Sequence, residues 1–262
     1  MTPTQRHFRV WRGTQQGGAF VDYQIPVDEG MVVLDVIHRI QAEQAGDLAV
    51  RWNCKAGKCG SCSVEINGIP RLACMTRMNA YGPEETITVQ PMKTFPVIKD
   101  LVTDVSWNYT QKKRITPFTP GPKGADGNYR MMQDDVDRIQ EFRKCIECFL
   151  CQDTCHVLRD HHRQDAFVGP RFMIHLAQLE MHPLDTVDRL PQIKDDYGAG
   201  FCNITKCCTV VCPEHIHITD NGIIPLKERI VDRYYDPIMA LWRMIFPEGQ
   251  AKKQLNPPAP LR

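Results

Sequence analysis

The run Cys145-Ile-Glu-Cys148-Phe-Leu-Cys151-Gln-Asp-Thr-Cys155 is followed, at a constant offset of 57 residues, by an imperfect copy from Cys202 through Cys208 to Cys212-Pro213. Laying one on the other pairs Cys145 with Cys202, Cys151 with Cys208 and Cys155 with Cys212, while Cys148 falls opposite Thr205. Three cysteines repeat and one does not. The two-residue spacings force tight loops that turn several thiols to one side, and the distant last cysteine of each run ties both runs into one small domain.

The series Cys-x2-Cys-x2-Cys-x3-Cys is the spacing of bacterial two-cluster ferredoxins, in which the fourth cysteine of each run serves the other run's cluster. On that spacing a 4Fe-4S centre draws on Cys145, Cys148, Cys151 and Cys212, and the other centre is left with Cys155, Cys202 and Cys208. Its missing corner is Thr205, whose hydroxyl is not ionised at neutral pH and is a poor iron ligand, so a 3Fe-4S cluster is expected there. Cys207 lies outside the spacing and is read as a non-ligand, the lesser alternative being that it substitutes at the missing corner and makes this centre 4Fe-4S. Structural zinc also favours Cys-x2-Cys pairs and is the competing reading. The repeated series and its swapped, proline-flanked end weigh against it.

Nearer the N-terminus, Cys54-Lys-Ala-Gly-Lys-Cys59-Gly-Ser-Cys62 is followed twelve residues later by Cys74. Cys-x4-Cys-x2-Cys with a later cysteine is the plant-type spacing for 2Fe-2S. Gly57 and Gly60 let the loop bend so that backbone amides approach the cluster sulfurs, where they stabilise added negative charge.

The fold class expected is α+β: an N-terminal β-grasp domain of the plant-type 2Fe-2S kind, then a mostly α-helical domain of the bacterial two-cluster kind. His7–Trp11 and Ala19–Val27 read as strands separated by Gly17-Gly18. Ser63–Ile66 and Arg71–Cys74 flank the hairpin signal Asn67-Gly68, and Glu85–Gln90 closes the sheet. Val33, Val36, Ile37 and Ile40 recur at helical spacing, which predicts one helix to about Gln44. Val97–Val105 is expected as a short helix ending a first domain over 1–105. Prolines 117, 120 and 122 with glycines 121, 124 and 127 mark a linker over 106–130, and the adjoining Lys112-Lys113-Arg114 reads as a solvated face. Helices are predicted at Asp134–Arg143, with Val136, Ile139 and Phe142 inward, at Arg171–Glu180 and at Pro225–Tyr234, within a second domain over 131–236. A tail over 237–262 follows, extended or disordered at Asn256–Pro260. Met131-Met132 reads as packing, and His161-His162, His215 and His217 as exposed or hydrogen-bonded side chains.

A net charge of +1 provides no field to recruit nucleic acid or an anionic membrane. Twelve cysteines without a secretory leader belong in a reducing compartment. No apolar stretch reaches the ~18 residues of a membrane span; the nearest, Pro237–Phe246, is interrupted by Arg243. With no phosphate loop, nucleophile elbow or paired catalytic carboxylates, the chain is expected to perform no bond chemistry itself.

Over roughly residues 8–235 the chain resembles the iron-sulfur subunit of succinate dehydrogenase and fumarate reductase. The marks are Cys59-Gly-Ser-Cys62, Glu65-Ile-Asn-Gly68, Leu72-Ala-Cys-Met-Thr76, Phe95-Pro-Val-Ile-Lys-Asp-Leu101, Cys145-Ile-Glu-Cys148 and Cys208-Thr-Val-Val-Cys-Pro213. The resemblance implies a flavoprotein partner with covalently held FAD and the dicarboxylate site, and membrane anchor subunits at the cytoplasmic face of a bacterial inner membrane. It also implies an electron path from flavin through 2Fe-2S, 4Fe-4S and 3Fe-4S to a quinone. A quinol:fumarate reductase has the same parts, and a soluble ferredoxin-like carrier is a different alternative. The chain departs from ubiquinone-reducing members at His156, where the family has proline, at Arg159 and Asp160 in place of tryptophans, at Asn203 in place of histidine and at Glu214 in place of lysine. These departures point to another anchor type or a lower-potential quinone such as menaquinone, with His156, Asn203 and Thr205 as pocket neighbours by sequence position.

Overall fold

The computed structural model describes residues 4–245. Strands β1 (Thr4–Thr14), β2 (Gly17–Val27), β3 (Ser63–Ile66), β4 (Ile69–Leu72) and β5 (Ile87–Gln90) form one sheet in the order β2-β1-β5-β3-β4. Only β1 and β5 run parallel, Phe8 facing Ile87, and the other neighbours are antiparallel. Side chains alternate between the two faces of a strand, which puts Phe8 and Val10 with Tyr23, Ile25 and Val27 in the core. Helix α1 (Val33–Glu43) lays Val33, Leu34, Val36, Ile37 and Ile40 into the same core, completing a β-grasp. Asn67 and Gly68 join β3 to β4 with φ of 48° and 76°, the doubly left-handed turn that suits the twist of a hairpin.

The stretch expected as a helix at Val97–Val105 is instead a hairpin of β6 (Val97–Lys99) and β7 (Val102–Thr103). Its turn is held from outside. Asp100, at φ 48°, accepts hydrogen bonds from the amides of Gly13 (3.0 Å) and Ala49 (2.8 Å) and pairs with Arg12 Nε at 3.0 Å. These tertiary bonds outweigh a local helical pattern already weakened by β-branched residues.

The stretch read as linker begins with a helix, α2 (Ser106–Arg114). It carries no apolar stripe; its inward residues are Asn108 and Gln111, so hydrophobic periodicity does not announce it. Trp107 packs against both hydrophobic cores. Asn108 Oδ1 accepts from Gln152 Nε2 at 3.2 Å, and Gln152 also donates to the Val168 carbonyl at 3.0 Å. The proline-rich connector is pinned to the second core by the buried pair Arg189–Asp185 (2.7 Å), since Arg189 also donates to the carbonyls of Thr116 and Pro117 and Asp185 accepts from the Thr119 amide.

The second core is helical: α3 (Gln133–Gln140), α4 (Leu150–Asp153), α5 (His156–Arg159), α6 (Pro170–Glu180), α7 (Leu190–Asp195), α8 (Cys207–Val210), α9 (Ile224–Tyr234) and α10 (Pro237–Ile245). Helix α6, opened by Pro170 in its first turn, is buried on nearly all sides. A π-type turn over Ile218–Ile223 leads into α9. Ile139 and Phe142 point inward as expected, Val136 is half-buried, and Met131 packs while Met132 is 72 % exposed. Helix α10 buries nothing and shows Ile238, Leu241 and Ile245 on its surface. Among the described residues no helix is long and apolar enough to cross a membrane. The Asn256–Pro260 expectation lies outside the described residues.

Candidate metal centres

The loop before β3 turns on Lys55, Gly57 and Gly60 at φ 53°, 67° and 68°. Amides of Ala56 and Lys58 point at Cys54 Sγ (3.4 and 3.3 Å), that of Ser61 at Cys59 Sγ (3.5 Å) and that of Cys74 at Cys62 Sγ (3.4 Å). Burial alone would raise the Cys59 thiol, but hydrogen bonds from Ser61 and Cys54 bring it down to about 6. Cys62 is driven the other way, to about 12, by burial, with Cys74 and Cys59 adding like charge. Cys54, Cys59, Cys62 and Cys74 thus act on one another across one loop, and Cys54 is the exposed member.

The internal repeat is a repeat of backbone as well as of residues. In the first run Glu147 and Phe149 take φ of 55° and 62° before α4; in the second, Ile204 and Lys206 take 63° and 62° before α8. Left-handed backbone costs a non-glycine residue roughly 1–2 kcal/mol, and here it curls each loop around its thiols. Cys145, Cys148, Cys151 and Cys212 line one cavity, closed by Ile174, Ile216 and Ile218. Burial pushes Cys148 up to about 12 and holds Cys151 well above the ordinary thiol value, each raised again by its neighbours' charge. Protonated thiols this crowded and this deep need a cation to become thiolates.

The third set is Cys155, Cys202 and Cys208. Burial raises Cys155 to about 12 and Cys208 to about 11, with Cys207 contributing like charge to both and Cys202 to Cys208. Thr205 is exposed, its Oγ1 3.3 Å from Cys207 Sγ. Among the described residues no three Cys, His, Asp or Glu side chains converge as a single ion requires. In an iron-sulfur core each thiolate stands on its own iron, and the three cysteine sets supply the donor type that such cores take.

His156 and Asn203 meet at an open depression beside this third set, with Val157, His161, Arg163 and Phe201. Thr205 is not part of that lining. Arg159, one of the departures read as bearing on a quinone pocket, turns inward to Glu65 Oε1 at 2.9 Å. Glu65 and Asp153, both fully buried, meet there between the two cores, and burial pushes Asp153 up to about 7. His161, His162, His215 and His217 are exposed, and His217 pairs with Glu141 at 2.7 Å. Of the basic trio, Lys112 reaches Glu147 at 2.6 Å, inside the first cysteine run. Ser63, Glu147 and Arg171 escape a reading by spacing because their partners lie 24 to 85 residues away.

Two family models match: a 2Fe-2S iron-sulfur cluster binding domain over residues 7–110 and a 4Fe-4S dicluster domain over 141–216. The chain is 34 % identical over 203 residues to the fumarate reductase iron-sulfur subunit of Mycobacterium tuberculosis strain CDC 1551, covering 75 % of this chain and 80 % of that one. It is 28 % identical over 241 residues to the succinate dehydrogenase iron-sulfur subunit of Paracoccus denitrificans, covering 87 % and 89 %. A chain of the Mycobacterium smegmatis Sdh1 complex in its apo form superimposes with a TM-score of 0.87 at 62 % identity, over 90 % of this chain and 99 % of that one. Thiol sets, sheet and helices therefore agree with sequence and structural relatives on one conclusion: the chain belongs to the succinate dehydrogenase and fumarate reductase iron-sulfur subunit family.

Proposed function

We propose that this chain carries electrons in a succinate:quinone oxidoreductase, between the FAD of a flavoprotein partner and a quinone held where the chain meets membrane anchor subunits. Cys54, Cys59, Cys62 and Cys74 hold 2Fe-2S; Cys145, Cys148, Cys151 and Cys212 hold 4Fe-4S; Cys155, Cys202 and Cys208 hold 3Fe-4S. The bound clusters supply one-electron chemistry over a tunable range of potential. The protein's own part is to hold thiolates, aim amides at their sulfurs and keep water from the middle set.

The observation that carries the reading is direct contact between the first two loops. A Cβ built on Gly60 would stand 2.7 Å from Cys148 Cα, so nothing but backbone separates one cysteine loop from the next. The depression of His156, His161, Arg163, Phe201 and Asn203 adjoins the third set and suits a quinone headgroup, menaquinone being the candidate. The chain then lies at the cytoplasmic face of a bacterial inner membrane. Net direction is assigned to succinate oxidation, and a relative named for fumarate reduction keeps the reverse as the second reading.

Electron paramagnetic resonance of the complex, oxidised and then reduced in steps, tests this. A near-isotropic oxidised-state signal followed by a 2Fe-2S signal is expected. Two ordinary 4Fe-4S signals with no oxidised-state signal would overturn the 3Fe-4S assignment, and zinc without acid-labile sulfide would overturn all three. Turnover with succinate exceeding that with fumarate on a menaquinone analogue is expected, and the opposite ratio would favour the second reading.

A further inference from the structure

Arg171, in the first turn of α6, lines the same cavity as Cys145, Cys148, Cys151 and Cys212. It is 7 % exposed. Its Nη2 donates to Glu147 Oε1 at 2.6 Å, and its guanidinium carbon stands 5.7 Å from the Phe172 ring centroid. Its Nε–H is buried with no hydrogen-bond partner among the described residues. A buried, charged donor left without an acceptor costs free energy, so its place against four cysteines calls for an acceptor in that cavity.

Resting on the reading that those four cysteines hold a cubane, we propose that Arg171 is the hydrogen-bond donor and local cation that raises the reduction potential of the 4Fe-4S centre. Glu147 sits inside the ligand run at φ 55° and also receives Lys112 Nζ at 2.6 Å. Two cations thus share one carboxylate. The other acid on the cavity wall, Glu214, is matched by Lys58 at 3.5 Å. His175, one turn along α6, adds no charge: burial, with the Arg171 and Lys112 cations, pushes its imidazole down to about 4. The neighbourhood is left with one net positive charge. Reduction adds one negative charge to the centre, so a donor and a cation in low dielectric favour the reduced form more than the oxidised one.

The test is a redox titration of the intact complex, followed by paramagnetic resonance, on wild type, R171Q, R171K and E147Q. R171Q is expected to lower the 4Fe-4S reduction equilibrium constant at least tenfold, about 59 mV for a one-electron couple. R171K recovers most of that loss, and E147Q shifts the potential upward by freeing the guanidinium's charge. Opposite signs are what a merely structural ion pair would not produce. An unchanged potential in R171Q, or R171Q and E147Q moving in the same direction, overturns the proposal. If R171Q does not assemble, E147Q decides alone: an upward shift supports the proposal, and none or a downward one overturns it. Absence of a 4Fe-4S signal from wild type would instead overturn the cluster reading.

Discussion

Gly60 of the first cysteine loop and Cys148 of the second are in backbone contact, and Cys148 itself, with Phe149 and Leu150, lies in the core built on the sheet. Ser63 sits over that contact, its hydroxyl 2.8 Å from the Gly60 carbonyl and 2.9 Å from the Cys148 carbonyl. Gly60 has φ 68°, and an added methyl would meet Cys148 Cα at 2.7 Å. Gly60→Ala therefore combines left-handed strain with overpacking, and is expected to destabilise the chain by about 2 kcal/mol or more. The 2Fe-2S and 4Fe-4S signals should both weaken while α1 and its sheet stay protected. Thermal unfolding with iron counted per chain measures it, and wild-type stability would show the contact to be dispensable.

Cys151→Ala should remove the 4Fe-4S signal and succinate-to-quinone turnover and leave 2Fe-2S intact. Cys151 lies in the helical core, whereas Cys62 and Cys74 lie in the sheet core, so a truncation at Cys151 need not unfold the 2Fe-2S set. Unchanged turnover would refute the wiring.

Thr205→Cys should convert the third centre from 3Fe-4S to 4Fe-4S, with loss of the oxidised-state signal and a lower potential. Thr205 takes the place in the second loop that Cys148 takes in the first, between residues of matching left-handed φ. Cys207→Ser serves as the comparison and is expected to leave the oxidised-state spectrum alone. If Cys207→Ser changes that spectrum and Thr205→Cys does not, Cys207 already fills the corner.

His175 titrates low because it is buried, and the sign of its effect follows from linkage. Between the ordinary histidine value of 6.5 and about 4 the unfolded chain binds a proton that the folded chain does not. Its contribution is therefore fully present above pH 6.5 and drains away as pH falls toward 4. His175→Leu should flatten that part of the acid side of the stability profile, read as the difference between variant and wild-type denaturation midpoints from pH 6.5 to 5. A constant difference across the window would show that His175 takes no part.

Periodicity and turn signals were enough for the β-grasp, because alternation in β1 and β2 and the helical spacing in α1 are local patterns that the core then satisfies. Spacing grouped the cysteines, since short loops leave few ways to arrange their thiols; Cys145, Cys148, Cys151 and Cys212 line one cavity, while Cys207, which spacing sets aside, stands beside Cys155 and Cys208. The hairpin at Val97–Thr103 was hidden because Asp100 takes its partners from Arg12, Gly13 and Ala49, and α2 because its inward face is polar. Sequence also said nothing of Ser63 over Cys148, of Arg159 turned to Glu65, or of Arg171 against the middle cavity. Each of these is a long-range pairing of polar groups, decided only when burial removes water as the competing partner.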